Sequence, residues 1–505
     1  MSSSIVGETN TKNTNLRGEG SLKTREHATV ITDYDQDELQ SRMERIKKHS
    51  TSYFYLLCGL IASGIFGKMQ KLANQKYVQS VIHGEPADLA TVDLFSNLVS
   101  AIAPLLGYLV DNIYPFRRRF SLYLIVAGVI ASASLVFVGT FSQSKASFIA
   151  AISIHASAGS FMSVVTQGVI ALKTKMDVTV FDMKEQIEGM KGSQEQEKGR
   201  SVSHVDGSAP KVVVSRDRIG IRLYTFYTVF SSFFEGISSI IGGFIVEYVP
   251  IKVVYLIASS TGILLVLFII FYVKEPKEEK MFSERKDLLV TIKNFFKVFF
   301  APLVILPAIL KLLTNAIPDP GDAISFILVN QGGWTYAQLG EVNALAVPIV
   351  AYAVFKLSKF RKASSFQVLF LAGILSFGWS QLVEIPLIFT NIPVLLFLVC
   401  YFLVVILSFI SELFTTTSLF GRFNALIPDG FESTGANILN SLVDLAGALS
   451  LYGTKRELDY YGVVNGYYSR IKGPLIINFA LSIITCFICP FFLLGGAKSQ
   501  SKRTN

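Results

Sequence analysis

The sequence predicts an all-α membrane protein with about twelve transmembrane helices in two six-helix bundles. Three observations lead there. Of the 505 residues, 51% are hydrophobic and only 16% are charged, at a mean hydropathy of +0.48; a soluble domain carries about 25% charged residues. Apolar runs of about 18 residues or more, each long enough to cross a bilayer, recur along the chain. Clusters of Lys and Arg follow the second, fourth, sixth, eighth and last runs, as topology signals do.

The runs fall at about 52–73, 90–113, 119–141, 146–172, 219–247, 251–273, 295–328, 335–357, 365–390, 393–418, 431–453 and 473–495. They read as helices, because backbone in lipid must satisfy its own hydrogen bonds and no barrel-type alternation is visible. Basic residues precede the first span (Arg42, Arg45, Lys47, Lys48) and follow the second (Arg117, Arg118, Arg119). They recur after the fourth (Lys173, Lys175, Arg216, Arg218), the sixth (Lys274, Lys277, Lys280) and the eighth (Lys356, Lys359, Arg361, Lys362). Lys498, Lys502 and Arg503 follow the last. All share one side if both termini are cytoplasmic, with the plasma membrane as the expected location. The loop with Lys455, Arg456, Arg470 and Lys472 departs from the rule. The net charge of +9 is thereby read as topology and contact with anionic lipid. Clusters in short interhelical loops do not form a nucleic-acid face, so no nucleic acid is expected as partner.

Residues 1–50 are polar, lack an apolar signal-peptide core and read as a disordered cytoplasmic tail. Residues 173–215 read as a cytoplasmic linker, 274–294 as an amphipathic central loop on the membrane surface, and 496–505 as a second cytoplasmic tail. The central loop separates a bundle at 51–273 from one at 295–495, the arrangement of transporters built around a midplane site. The four cysteines, Cys58, Cys400, Cys486 and Cys489, all fall inside spans and read as packing residues rather than a metal or redox set. There is no phosphate loop or nucleophile elbow in the sequence, so an enzyme is not expected. Neither is a cofactor or a metal. The expected partners are a small-molecule substrate and the bilayer, with the chain as a monomer.

The stretch "PLLGYLVDNIYPFRRRF", residues 104–120, ends the second span with an acid and opens the third with three arginines. Gly107 permits close helix approach, and Asp111 can cap the N-terminus of a neighbouring helix, where the dipole favours negative charge. Arg117, Arg118 and Arg119 can hold that acid in one conformation and release it in another, as a gate would. The alternative is a capped turn followed by topogenic arginines.

Gly107-x-x-x-Asp111 followed by the arginines resembles the signature loop of the major facilitator superfamily. Three longer stretches are similar to the folate–biopterin transporter family of that superfamily. They are "SAIAPLLGYLVDNIYPFRRRFSLYLIVAG" (100–128), "TNAIPDPGDAISFILVNQGGWTYAQLGEV" (314–342) and "LIPDGFESTGANILNSLVDLAGAL" (426–449), which together cover the membrane core, roughly residues 51–495. The resemblance implies the major facilitator fold, transport, and folate or biopterin as substrate class. Two positions depart from the family pattern. Ala103 stands where the family has a lysine, and the fourth span offers Ser163, Thr166 and Gln167 where the family has aspartates.

Ionisable residues inside spans face the bundle interior and are functional candidates. They are Glu235 in the fifth span, Lys311 in the seventh, Glu384 in the ninth and Asp444 in the eleventh. The seventh span breaks at Pro318-Asp319-Pro320-Gly321-Asp322, a non-helical segment tolerated where it lines a cavity. A structural ion pair, or a charge reaching back to the interface, is the competing reading for Lys311 and Glu384. His155 reads as a packed, hydrogen-bonded residue. A flat anionic substrate would need an acid, an aromatic and a cation, which Glu235, Phe233 and Phe234, and Lys311 supply by type. Glu235 is also a candidate proton carrier, its burial favouring the neutral acid. The expectation is therefore a secondary-active transporter of folate, biopterin or a related flat, weakly anionic metabolite, working by alternating access with a proton. The alternatives are a nucleoside-like or amino-acid-derived substrate such as S-adenosylmethionine, or a non-transporting receptor or scaffold.

Overall fold

The computed structural model of the chain describes residues 20–63, 67–113, 118–197, 209–273, 275, 293, 296, 300, 302–330, 333–342, 344, 366–384, 394–427, 431–464 and 468–501. These residues are almost wholly helical. In chain order the helices are α1 (Gly20–Ser63), α2 (Gly67–Ser80), α3 (Pro86–Ser100), α4 (Ala103–Asn112), α5 (Ser121–Thr140), α6 (Lys145–Glu197) and α7 (Ala209–Tyr248). There follow α8 (Ile251–Tyr272), α9 (Pro302–Asn315), α10 (Gly321–Asn330), α11 (Phe366–Glu384), α12 (Val394–Leu426), α13 (Glu432–Tyr461) and α14 (Lys472–Ser501). Among the described residues six stretches are long and apolar enough to cross a membrane: Pro86–Asn112, Ser121–Thr140, Lys145–Lys184, Ile219–Tyr248, Ile251–Tyr272 and Val399–Phe420. They coincide with six of the expected spans. Most of the 335–357 span and of the 274–294 loop lies outside the described residues.

The chain divides into two compact units, Met1–Lys48 with Thr179–His204 and His49–Val178 with Val205–Asn505. Two expectations are corrected. The tail at 1–50 is helical from Gly20 onward as part of α1, and the linker at 173–215 is helical to Glu197 as the end of α6 and from Ala209 as the start of α7. Both stretches of α1 and α6 carry Glu, Gln and Lys and no proline, and helix propensity extends them without an apolar period. The expected tail at 496–505 likewise begins as helix, since α14 runs to Ser501.

Within the second unit α5 packs along α8 and α11 along α12. Two further pairings join distant parts of the chain: α3 and α4 lie against α13, and α7 lies against α12. The buried apolar side chains form two large clusters at different levels of the same helices. On α5, Tyr123 and Leu124 belong to the first cluster and Leu135 and Val138 to the second. On α6 the order reverses, with Val164 and Val169 in the first and Phe148 and Ile152 in the second, as antiparallel neighbours require. The apolar exterior is equally regular. Val129, Ile263, Leu264, Ile270 and Phe271 stay more than half exposed, a surface suited to lipid rather than water.

Candidate functional site

The first cluster surrounds a knot of buried charges. α13 begins at Glu432, and its N-cap position, Phe431, supplies no side-chain hydrogen bond. The first-turn amides of a helix lack intrahelical partners, and here Asp111 at the end of α4 takes them. Its Oδ1 accepts from the Ser433 N–H at 3.1 Å, and its Oδ2 accepts from the Thr434 N–H and the Thr434 hydroxyl at 2.7 Å each. A carboxylate on the positive end of a helix dipole is favourable, and charge-assisted bonds are the stronger kind. Gly107, one turn before Asp111, makes the approach possible: a Cβ there would stand 2.9 Å from the Thr434 N and Cα and from the Ser433 carbonyl oxygen.

Arg119 closes the knot. Its Nη2 donates to Asp111 Oδ1 at 2.6 Å and to Glu432 Oε2 at 2.7 Å. Lys175 of α6 donates to the other oxygen of Glu432 at 2.8 Å. Among the described residues two acids and two bases meet here, with the Arg119, Asp111 and Glu432 side chains at most 5% exposed. Buried charges persist only when paired and hydrogen-bonded in this way. Glu275 fixes the backbone beneath: Oε1 accepts from the Arg119 and Phe120 amides, and Oε2 from the Ser121 amide and hydroxyl, all at 2.6–2.9 Å. Glu275 is buried, so the expected surface loop at 274–294 begins with a residue tied into this end of the bundle. Of the two described arginines singled out in the sequence, Arg119 binds the acids and Arg118 is exposed, while Arg117 lies outside the described residues.

The end carrying the second cluster closes differently. Gly243 of α7 lies so near residues 336–337 that a Cβ would meet the Tyr336 carbonyl oxygen at 2.7 Å. The Tyr336 N–H donates to Glu247 at 3.0 Å, and Lys76 of α2 donates to the Glu247 carbonyl at 3.1 Å. The Tyr336 hydroxyl donates to Gln79.

Between these ends the interior turns polar. Gln167 of α6 is buried and donates to the Tyr224 hydroxyl at 3.3 Å. Tyr224 stacks on Phe420 of α12, with centroids 5.5 Å apart and planes at 12°, and Tyr227 stands 6.0 Å from it. Glu235 is half-buried on α7, within electrostatic reach of Tyr227. Lys311 of α9 is buried and pairs with Glu412 of α12. A cavity of about 260 Å³ adjoins this region among α1, α2, α5, α6, α7 and α8, with Gln70, His155, Thr166, Tyr227 and Ser231 among its lining. The His155 Nδ1 lies 3.1 Å from the Ala131 carbonyl, which fits the packed, hydrogen-bonded reading.

The remaining candidates do not gather here. Asp319 is exposed and accepts from the Gly321 N–H at 2.8 Å, the geometry of a turn that starts α10, while its own N–H donates to Thr454 at 2.9 Å. Asp444 is half-buried on α13. Phe233 is 49% exposed. The side chains of Asp322 and Glu384 lie outside the described residues. Sequence reasoning overlooked Glu412 and Glu432. A lone acid in the apolar run "LSFISELFTTT" marked the first, and the run "PDGFEST" contained the second.

One comparison concerns the segment that supplies half of this charged knot. Residues 63–179 match the BT1 family. This is the folate–biopterin transporter family that the sequence resembles, and the BT1 segment carries Gly107, Asp111, Arg119, Gln167 and Lys175. Glu432, Lys311 and Glu412 lie outside it. No curated protein matches the chain. Solved structures do. The nucleoside transporter NupG is 11% identical at a TM-score of 0.53, over 87% of this chain and 99% of that one. A POT family transporter in complex with a thioalcohol-conjugated peptide is 14% identical at 0.55, over 88% and 96%. The human organic anion transporter MFSD10 is 15% identical at 0.51, over 88% and 99%. At such identities the likeness concerns the fold alone. The BT1 match at residues 63–179 and the six stretches long and apolar enough to cross a membrane support a multi-pass membrane protein.

Proposed function

We propose that the chain is a secondary-active transporter that moves folate, biopterin or a related flat, weakly anionic metabolite together with a proton, by alternating access between two six-helix bundles. The observation that carries this reading is the capping of α13 by Asp111. The contact ties α4 to a helix more than 300 residues later through hydrogen bonds and ion pairs laid over the apolar packing of the two helices. The polar bonds can break and re-form as the helices part, which is what a gate requires. The polar groups set within the first apolar cluster are those a flat anionic solute would need: the stacked Tyr224 and Phe420, the amide of Gln167, and the cation Lys311. Glu235 beside Tyr227 is the proton carrier that the sequence suggested, and Glu412 adds a second acid.

The test is uptake of labelled folate, biopterin and S-adenosylmethionine by vesicles containing the purified chain. Saturable folate or biopterin uptake, competed by the unlabelled compound and steeper under an inward proton gradient, is the expected result. Saturable uptake of S-adenosylmethionine alone would replace the pteridine class with an amino-acid-derived one, and uptake of none of the three would remove the substrate reading.

A further inference from the structure

The ion pair between Lys311 and Glu412 is lopsided. Lys311 is 3% exposed, whereas the Glu412 side chain is 59% exposed. Yet α12 is packed against α7, α9, α11 and α13, and Glu412 sits mid-way along it. Glu412 is thus the open end of the pair and Lys311 the enclosed one. The second oxygen of Glu412 accepts from the Thr416 hydroxyl at 2.7 Å, one turn along α12, which aims the first at Lys311.

The physical consequence concerns exchange. An ammonium this deeply buried costs several kcal/mol if left without a counter-charge. Anything that draws Glu412 away must therefore leave another anion in its place, and the open side of Glu412 is where a competitor can arrive. Other charged or titratable groups do not take over the part. On α9, Lys311 is the one titratable residue, and α7 brings Tyr224 within electrostatic reach of Glu412. On α12 itself the others are Cys400, Tyr401 and Arg422, ten or more positions away. On α11 it is Glu384, whose side chain lies outside the described residues. On α13, Glu432 is held in the gate and Asp444 is half-buried.

We propose that Lys311 is the carboxylate-binding site of the transport pathway and that Glu412 is its resident occupant: an anionic solute enters by displacing the Glu412 carboxylate from Lys311, and the displaced group takes up a proton from water. The charge is unchanged by the exchange. Lys311 and ionised Glu412 sum to zero, as do Lys311, the solute carboxylate and neutral Glu412. One proton accompanies each carboxylate. This names the substrate feature and the coupling step of the transporter proposed above, and rests on that reading for the word pathway.

The test uses the purified full chain and acetate as probe, with chloride at equal ionic strength as control, read by thermal unfolding. Glu412→Ala melts lower than the wild type; acetate restores the loss and chloride does not. The acetate effect vanishes in the Lys311→Met, Glu412→Ala double variant. In the wild type acetate stabilises more at about pH 6 than at about pH 7.5, because its binding takes up a proton at the displaced Glu412, and Glu412→Gln makes its effect equal at the two. Acetate that acts no better than chloride on Glu412→Ala, or that still acts without Lys311, overturns the site. A pH difference that survives in Glu412→Gln overturns the proton step. None of these readings requires uptake, so a chain that binds acetate in this pattern but moves no solute would retain the site and lose the transport function.

Discussion

Asp111 accepts two hydrogen bonds of 2.7 Å from Thr434, one from its amide and one from its hydroxyl, across 323 positions of the chain. The acid belongs to the BT1 segment and the helix it caps does not. The relationship therefore couples the recognised part of the sequence to the rest, and the following outcomes depend on it.

Arg119→Ala should abolish transport and lower stability, because removing one partner of a buried ion pair costs about 3–5 kcal/mol. Arg119→Lys keeps the charge and loses the planar fork, and should fold normally with reduced transport. Arg118→Ala, on an exposed side chain, should leave both within about two-fold of the wild type. Uptake rates and melting temperatures of the three variants, measured side by side, check this; equal defects at 118 and 119 would show that the arginines act as a topology signal.

Gly107→Ala places a methyl group 2.9 Å from the backbone of α13. Helix backbone cannot yield as a flexible side chain can, so the two helices must separate. The variant should insert normally and become more accessible at this end. Faster alkylation of a cysteine placed at Ser433 in the Gly107→Ala background, compared with the same cysteine alone, is the expected result. Unchanged labelling would mean that α4 and α13 tolerate the methyl where they are.

Burial pushes the Glu457 carboxyl, near the end of α13, up to about 6. A carboxyl whose folded pKa is raised binds its proton more tightly when folded, so stability falls as pH rises from the unfolded value, about 4.3, through about 6. Glu457→Gln removes that dependence. Its melting temperature should exceed the wild type's at about pH 7.5 and match it at about pH 4. A wild type that loses no stability across this window, relative to the variant, would contradict the assignment.

The fold was legible because hydropathy and Lys and Arg placement are local signals, and bilayer thickness sets the run length. The gate was half legible. Gly107, Asp111 and the arginines stand within thirteen positions, and their spacing carries the chemistry. Which arginine turns inward is decided by the backbone that Glu275 pins, and no local pattern reveals that. Glu432 and Lys175 needed the tertiary pairing of α4, α6 and α13. Glu412 was readable as a lone acid in an apolar run, but its partner Lys311 lies 101 positions away. The helical ends of α1 and α6 were misjudged because apolar periodicity was required of them, while propensity alone was enough.

The central claim is that the Asp111 contact is a moving gate rather than a fixed brace. The most direct measurement is uptake of labelled folate and biopterin by vesicles containing either the wild type or Asp111→Asn, at equal protein content and equal melting temperature. Asparagine keeps the shape and can still accept from Thr434, but it gives up the charge that Arg119 and the α13 dipole stabilise. The account predicts saturable uptake by the wild type and at least about a ten-fold lower rate for Asp111→Asn, in line with a loss of roughly 1.4 kcal/mol. Equal uptake by the two proteins would contradict it.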